Sequence, residues 1–294
     1  MTHVIIEAQN LTKYYGKIRG IEDLNFQINE GELFGFLGPN GAGKSTTIRL
    51  LLNLIMPTSG KVFLFGKEVR KNYQNLFKRI GNIPGELQLY EELTGNYFLE
   101  YMNSFNNKEP VLREELSEAF KLNTHDLDKK IKHYSRGMKQ KIGIIQAMQE
   151  KPDLLIMDEP SEGLDPLNKN VLYEYLIRLK EEGKTVFFSS HNLTEVEKIS
   201  DRVGLVREGR FVALESISEL KKKMVRKMEV EFLEEYNLTE FNLPSIEIIE
   251  QDKNRLVVTV LGDINPLLQK LTQYKIKNMI FPEPSLEDMF LTYY

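Results

Sequence analysis

Gly38-Pro39-Asn40-Gly41-Ala42-Gly43-Lys44-Ser45-Thr46 fits the pattern G-x-x-x-x-G-K-[ST], with Gly38, Gly43, Lys44 and Ser45 at its fixed positions. Anion chemistry accounts for each residue type. Glycines let successive backbone N–H groups turn inward around the β- and γ-phosphates of a nucleotide. A helix that follows such a loop adds free N–H groups and the positive end of its dipole. Lys44 supplies a compact positive charge, and the Ser45 hydroxyl suits Mg²⁺. The apolar run Leu33-Phe-Gly-Phe-Leu37 stands before the loop and Thr46-Thr-Ile-Arg-Leu-Leu-Leu52 reads as a helix after it. This strand–loop–helix setting favours a nucleoside triphosphate site over a plain glycine turn.

A second group supplies acids. Leu154-Leu-Ile-Met-Asp-Glu-Pro160 is an apolar strand that ends in two carboxylates. Asp158 at the strand end suits Mg²⁺ held through water. Strand side chains alternate, so Glu159 is expected to point elsewhere, where it could polarise an attacking water. The competing reading is a strand that ends in a charged turn.

These groups need a scaffold, and the patterning supplies one. His3 to Ala8 and Ile21 to Ile28 carry period-two apolar residues. Lys61 to Phe65 is another strand. Residues 86 to about 150 read as a helical insert, with helices over Glu92 to Met102 and Val111 to Phe120. Ser135 stands at the N-cap of a helix that runs to Gln149. Strands and helices then alternate: Leu154 to Met157, Asn168 to Glu182, Thr185 to Phe188 and Asn192 to Ser200. Glu208-Gly209 joins two short strands as a hairpin turn. The sequence shows no internal repeat and no low-complexity tract.

Lys221-Lys-Lys223 with Arg226 and Lys227 marks a shift in composition, and a domain boundary is expected there. The cluster reads as a solvated linker; contact with acidic lipid headgroups is the alternative. Residues 227 to 294 read as β–β–β–α–β–α, with the last helix over Ser285 to Thr292.

Bulk properties narrow the classes. The chain has 294 residues, enough for one large or two smaller domains, and its 41% hydrophobic and 28% charged content is that of a soluble globular protein. No window approaches the length of a membrane span, and Met1 to Glu7 lacks the marks of a secretion signal. Cysteine is absent, which removes disulfide and thiol chemistry and fits the cytoplasm. The four histidines are not at ligand spacing, so a structural zinc site is not expected. A net charge of −4 argues against nucleic acid as partner.

Ser135-Arg-Gly137 before the carboxylates, Asp165 in Gly163-Leu-Asp-Pro166, and His191 after Phe187-Phe-Ser-Ser190 complete an ordered set. With the phosphate loop, that set resembles the ATP-binding cassette (ABC) ATPases over residues 3 to about 218. The resemblance implies an α/β fold, a P-loop NTPase cassette with an antiparallel β subdomain and a helical insert. It implies an ATPase domain over residues 1–220 with its helical subdomain at about 86–150, and a small C-terminal α+β domain over 227–294. ATP and Mg²⁺ are the implied cofactors. Glu159, His191 and Lys44 take the catalytic roles, Ser45 and Asp158 the metal, and Gly38 to Thr46 the phosphates. Tyr15 matches the aromatic that stacks on adenine, with Tyr14 the less favoured neighbour. Ser135 and Gly137 match the signature that touches the γ-phosphate of ATP held by another subunit. Asp165 matches a loop that crosses the dimer interface. Two cassettes, identical or paralogous, would close head-to-tail around two ATP molecules, and hydrolysis would reopen them.

The chain departs from the family pattern in two places. The signature Leu-Ser-Gly-Gly-Gln is here Tyr134-Ser-Arg-Gly-Met138. The loop that usually carries a glutamine near Mg²⁺ reads Ile83-Pro-Gly-Glu-Leu-Gln88, with Gly85 at the aligned position; Glu86 or Gln88 could serve instead. Both departures, with Pro284-Ser-Leu-Glu-Asp-Met-Phe290, resemble the branch of ATPase subunits that drive bacterial exporters. The expectation is therefore a subunit on the cytoplasmic face of the membrane, held there by a separately encoded permease that contacts it near Gly85 to Tyr101. The alternative is a soluble ABC ATPase acting on ribosomes or nucleic acid, which usually carries two cassettes or a long coiled coil. The C-terminal unit reads as a packing domain that supports the dimer, or as a ligand sensor.

Overall fold

Period-two apolar patterning near the N-terminus becomes two long paired strands, β1 (Val4–Tyr15) and β2 (Ile18–Asn29), joined by a tight turn at Gly16. Both run well past the segments that the alternation marks, because bulges reset the register at several points along the pair. The computed structural model describes residues 3–106, 108–223 and 226–282, and the chain divides into two units, 1–217 and 218–294.

In the first unit, β3 (Leu33–Leu37) leads into α1 (Lys44–Leu51). Next come β4 (Ser59–Leu64), β5 (Lys67–Glu68), α2 (Val69–Phe77) and β6 (Ile80–Ile83). The sequence reading offered no element for residues 67–83. The strands there are short, and Gly81-Asn82 interrupts the apolar signal of β6. The helical segment holds α3 (Gly95–Ser104), α4 (Arg113–Ala119), α5 (Thr124–Leu127), a 3₁₀ turn at Ile131–His133, and α6 (Arg136–Met148). The remainder alternates: β7 (Leu154–Asp158), α7 (Pro166–Glu181), β8 (Thr185–Ser190), α8 (Leu193–Ile199), β9 (Arg202–Arg207) and β10 (Arg210–Ser216).

Two sheets carry this unit. One is antiparallel, in the order β2-β1-β4-β5; the other has the order β10-β9-β3-β8-β7-β6, parallel except at its β10 edge. Strands β3, β7 and β8 are buried along their whole length, as continuous apolar runs in a covered parallel sheet must be. The core between the sheets is aromatic. Phe26 of β2 stacks on Phe34 of β3 at 6.2 Å and on Phe187 of β8 at 6.4 Å, and Phe211 of β10 meets Phe26 and Phe36 edge-on. Each buried ring contributes on the order of 2–3 kcal/mol. The β9–β10 turn has positive φ at both Glu208 and Gly209, as a two-residue hairpin between twisted strands requires.

Helix α9 (Ile217–Lys223) spans the division between the units. The second unit holds β11 (Arg226–Phe232), β12 (Ile246–Asp252), β13 (Arg255–Val260), α10 (Asn265–Leu271) and β14 (Ile276–Ile280). Its antiparallel sheet has the order β12-β13-β11-β14. Met228, Val230, Leu256 and Val258 face Phe241, Leu267 and Leu271 in its core. Phe232 stacks on Tyr236 at 4.5 Å and meets Tyr274 edge-on. Helix α10 ends at Leu271. The helix over Ser285 to Thr292 and the Pro284 to Phe290 motif lie outside the described residues, as do the side chains of Lys221 to Lys223.

Candidate nucleotide-binding site

Strand register builds the site. β3 pairs β8 with Leu37 opposite Ser190, and β7 pairs β8 with Asp158 opposite Ser189. The three strands therefore end together, at the edge where parallel α/β sheets bind ligands. The glycine-rich loop leaves β3 there, the two carboxylates leave β7 and His191 leaves β8.

The loop is set by its backbone. Gly43 takes φ 106° at the start of α1, a conformation closed to side chains, and a Cβ there would stand 2.6 Å from Ile21. The β9–β10 turn buttresses the loop, since the Gly209 N–H donates to Ala42 O at 3.0 Å. Lys44 is buried, and its ammonium donates to Gly38 O at 2.8 Å and Pro39 O at 3.2 Å. It also lies 3.2 Å from Glu159 Oε1.

Asp158 is buried and receives the Ser189 hydroxyl, which in turn accepts the Glu159 N–H at 3.0 Å. Glu159 leaves the strand with φ 49°. Strand alternation is thus not what redirects it: β7 stops at Asp158, and a left-handed turn aims the next side chain. The Glu159 carboxylate lies between the Lys44 ammonium and the His191 ring, with Oε1 toward Lys44 and Oε2 2.9 Å from His191 Nδ1. Glu159 Oε1 is buried and accepts no hydrogen bond of good geometry among the described residues.

A cleft of about 440 Å³ opens beside these groups, lined by Ser45, Asn82, Gly85, Glu86, Gln88 and Asp158 among others. Glu86 and Gln88 both reach it, so the structure leaves both available. Gly85 is tightly placed, because a Cβ there would lie 2.8 Å from Asp158 Oδ2 and 3.1 Å from its Cγ. The buried Asn82 Oδ1 also faces no donor among the described residues. Sequence reading missed Ser189 and Asn82. A serine after an apolar strand and an asparagine within one carry no signature; strand register alone gives them a role.

These features fit Mg²⁺. Ser45 and Asp158 share the cleft with a buried, unsatisfied amide oxygen, and Mg²⁺ takes one or two protein oxygens and completes its shell with phosphate and water. Tyr15 is 44% exposed. A Cβ at Gly20 would touch both the Tyr15 ring at 3.0 Å and Thr46 Cγ2 at 3.2 Å, so ring and loop share one face. Lys13 Nζ lies 5.2 Å from the ring centre.

Ser135, Gly137 and Asp165 do not line this cleft. Ser135 caps α6, accepting the Met138 N–H at 3.2 Å, and it is exposed. The preceding Tyr134 is buried and donates to Asp126 O at 2.8 Å; burial pushes its phenol up to about 12. Arg136 pairs with Glu162, and Gly137 lies against Gly163. Asp165 caps α7, and the Asn168 N–H above all holds its carboxyl below the ordinary range. Leu87 is seated on Gly143 of α6, where a Cβ would meet both its methyls at 2.9 Å.

Residues 21–162 match the family model described as ABC transporter. The chain is 35% identical to a bacitracin transport ATP-binding protein of Bacillus licheniformis, with 98% of this chain and 96% of the relative covered. It is 38% identical to a linearmycin resistance ATP-binding protein of Bacillus subtilis, with 74% of this chain and 70% of the relative covered. Among solved structures it resembles an ATP-binding subunit of an ABC transporter, with a TM-score of 0.69 and 30% identity over 74% of this chain and 92% of that one. A dimeric cassette bound to ADP and phosphate shares the fold, with a TM-score of 0.67 and 23% identity over 72% of this chain and 99% of that one. The phosphate loop, the paired carboxylates and a likeness that runs through the chain agree: this protein belongs to the ABC transporter family, as an ATP-binding and ATP-hydrolysing subunit.

Proposed function

We propose that the chain powers export through a separately encoded membrane permease, and that two copies, or this chain and a paralogue, close head-to-tail around two ATP molecules. Residues 1–220 form the ATPase domain in this reading, with the insert at about 86–150, and residues 227–294 a small domain that supports the dimer. Lys44 and the loop from Gly38 to Thr46 hold the phosphates, and Tyr15 underlies the adenine. Ser45 and Asp158 hold Mg²⁺, which when bound neutralises charge on the β- and γ-phosphates. Glu159 polarises the attacking water, and His191 holds the γ-phosphate and the Glu159 carboxylate in register. Ser135, Gly137 and Asp165 act on the ATP of the opposite copy.

The observation that carries this reading is the Glu159 carboxylate set between Lys44 and His191, while the exposed Ser135 lies outside the same cleft. One chain therefore offers half of each phosphate enclosure. Glu159→Gln tests it. The variant should bind MgATP, nearly stop hydrolysing it and accumulate as a dimer by size-exclusion chromatography. Turnover at the parental rate would remove Glu159 from the role.

The permease contact is assigned to a second, apolar cleft of about 490 Å³, lined by Leu54, Pro84, Leu87, Tyr90, Phe98 and Phe105 among others. Tyr90, Phe98, Tyr101 and Phe105 form a chain of rings 5.1 to 6.4 Å apart, yet Tyr90 is 55% and Phe105 62% exposed. Exposed aromatics beside an apolar groove suit an amphipathic helix of a partner. No helix among the described residues is long and apolar enough to cross a membrane, and a partner that spans one would place this subunit on the cytoplasmic face. The transport name of the bacitracin relative and the ABC transporter subunit among solved structures support this reading over a ribosome or nucleic-acid role.

A further inference from the structure

Glu195 is a buried carboxylate, 8% exposed, that the roles above leave unused. It gathers donors from three directions. Ser161, two residues after Glu159, donates to Glu195 Oε2 at 2.7 Å. Ser190, one residue before His191, donates to the same oxygen at 3.2 Å. Lys169, in the helix that Asp165 caps, lies 2.7 Å from Oε1. The buried Tyr173 ring stands beside it, and its phenol is pushed up by burial and by Glu195.

The loop that carries His191 closes on the same residue. Ser190 Oγ accepts the Asn192 N–H at 2.9 Å, and Asn192 Oδ1 accepts the Glu195 N–H at 3.2 Å. His191 is thus flanked on both sides by residues tied to Glu195, while Glu159 is flanked by Ser161. Burying a carboxylate is costly unless several donors meet it, and an apolar side chain would pack this volume more cheaply. A hydrogen-bonding carboxylate here fixes geometry that packing alone would leave loose.

We propose that Glu195 is a positioning residue for ATP hydrolysis: it locks the His191 segment against the Glu159 segment and so sets the 2.9 Å contact between His191 Nδ1 and Glu159 Oε2. The proposal rests on the roles read above for those two residues. It also links the hydrolytic pair to Asp165, because Lys169 brings α7 into the same network.

The test is steady-state ATPase activity of the full chain in four variants: Glu195→Gln, Ser190→Ala, His191→Ala, and the double variant Glu195→Gln/His191→Ala. Glu195→Gln should lower kcat on the order of tenfold while KM for MgATP stays within about twofold, as expected when transition-state placement alone is lost. Ser190→Ala, the milder change, should shift kcat the same way, which keeps the test decisive if Glu195→Gln folds poorly. The double variant should be no slower than His191→Ala, because Glu195 acts through that histidine. Losses that multiply in the double variant, or a raised KM with kcat unchanged, would overturn the proposal alone. A His191→Ala variant that hydrolyses at the parental rate would instead sink the histidine's role, and this proposal with it.

Discussion

Lys44 Nζ lies 3.2 Å from Glu159 Oε1 while donating to the Gly38 and Pro39 carbonyl oxygens. The ammonium that would meet a γ-phosphate is thus occupied by the loop it belongs to and by the carboxylate across the cleft. Phosphate oxygens would take over these contacts and free Glu159 for water. Lys44→Met removes a charge-assisted contact worth about 1.5–3 kcal/mol. The Kd for MgATP should rise on the order of tenfold to a hundredfold by titration calorimetry. Unchanged affinity would show that Lys44 does not reach the phosphates.

Gly85 lines the nucleotide cleft beside Asp158. The backbone at this point approaches Asp158 so closely that any Cβ would press on its carboxylate, which Ser189 already holds. Gly85→Gln should therefore damage the site. We expect turnover to fall on the order of tenfold and the Mg²⁺ concentration for half-maximal rate to rise, with ATP-free stability lowered by about 1–3 kcal/mol or less. Wild-type Mg²⁺ dependence in that variant would exclude the clash.

The aromatic cleft should separate coupling from chemistry. Phe105→Asp places a charge on the exposed end of the Tyr101–Phe105 ring pair. Co-purification with the permease should be lost, while the ATPase rate of the isolated chain stays within about twofold of the parent. Association at parental strength would move the contact elsewhere.

Two carboxylates set an acid limit. Burial alone would raise Glu195 above its ordinary value of 4.5, but the Lys169 ammonium and the Ser161 hydroxyl bonded to it more than offset it and hold the group lower. Burial likewise works against Asp153, and Lys184 and Arg79 hold it below its ordinary 3.8. Carboxyls depressed in the folded state stabilise it above the unfolded value, and that stability is lost as pH falls through the folded value. The thermal midpoint should therefore drop steeply as pH is lowered from about 5 to 3. Asp153→Asn should have a lower midpoint at pH 7 and a shallower acid slope; a parallel slope would show that Asp153 does not contribute.

Much of the site was legible because phosphate chemistry dictates residue types at fixed spacing. Gly43, Lys44 and Ser45 could be read in one pass, and Asp158 followed from an apolar run that stops at an acid. The turn that aims Glu159 could not be read, since glutamate rarely adopts positive φ and nothing local announces it. Ser189 and Glu195 gain their roles from partners far along the chain, Asp158 for the first and Ser161 and Lys169 for the second, and Asn82 gains its place from strand register. Strand β6 escaped because a glycine and an asparagine sit inside a four-residue strand whose burial comes from neighbours.

The seat of Leu87 on Gly143 makes a fulcrum. The cleft loop rests on one arm, and the helix that starts at Ser135 is the other. The Leu87 methyls fill the space that a side chain at Gly143 would need, so the loop and the helix meet there without an intervening side chain. A bulkier residue at Gly143 would have to displace Leu87, and so would disturb the loop without replacing any residue that lines the nucleotide cleft.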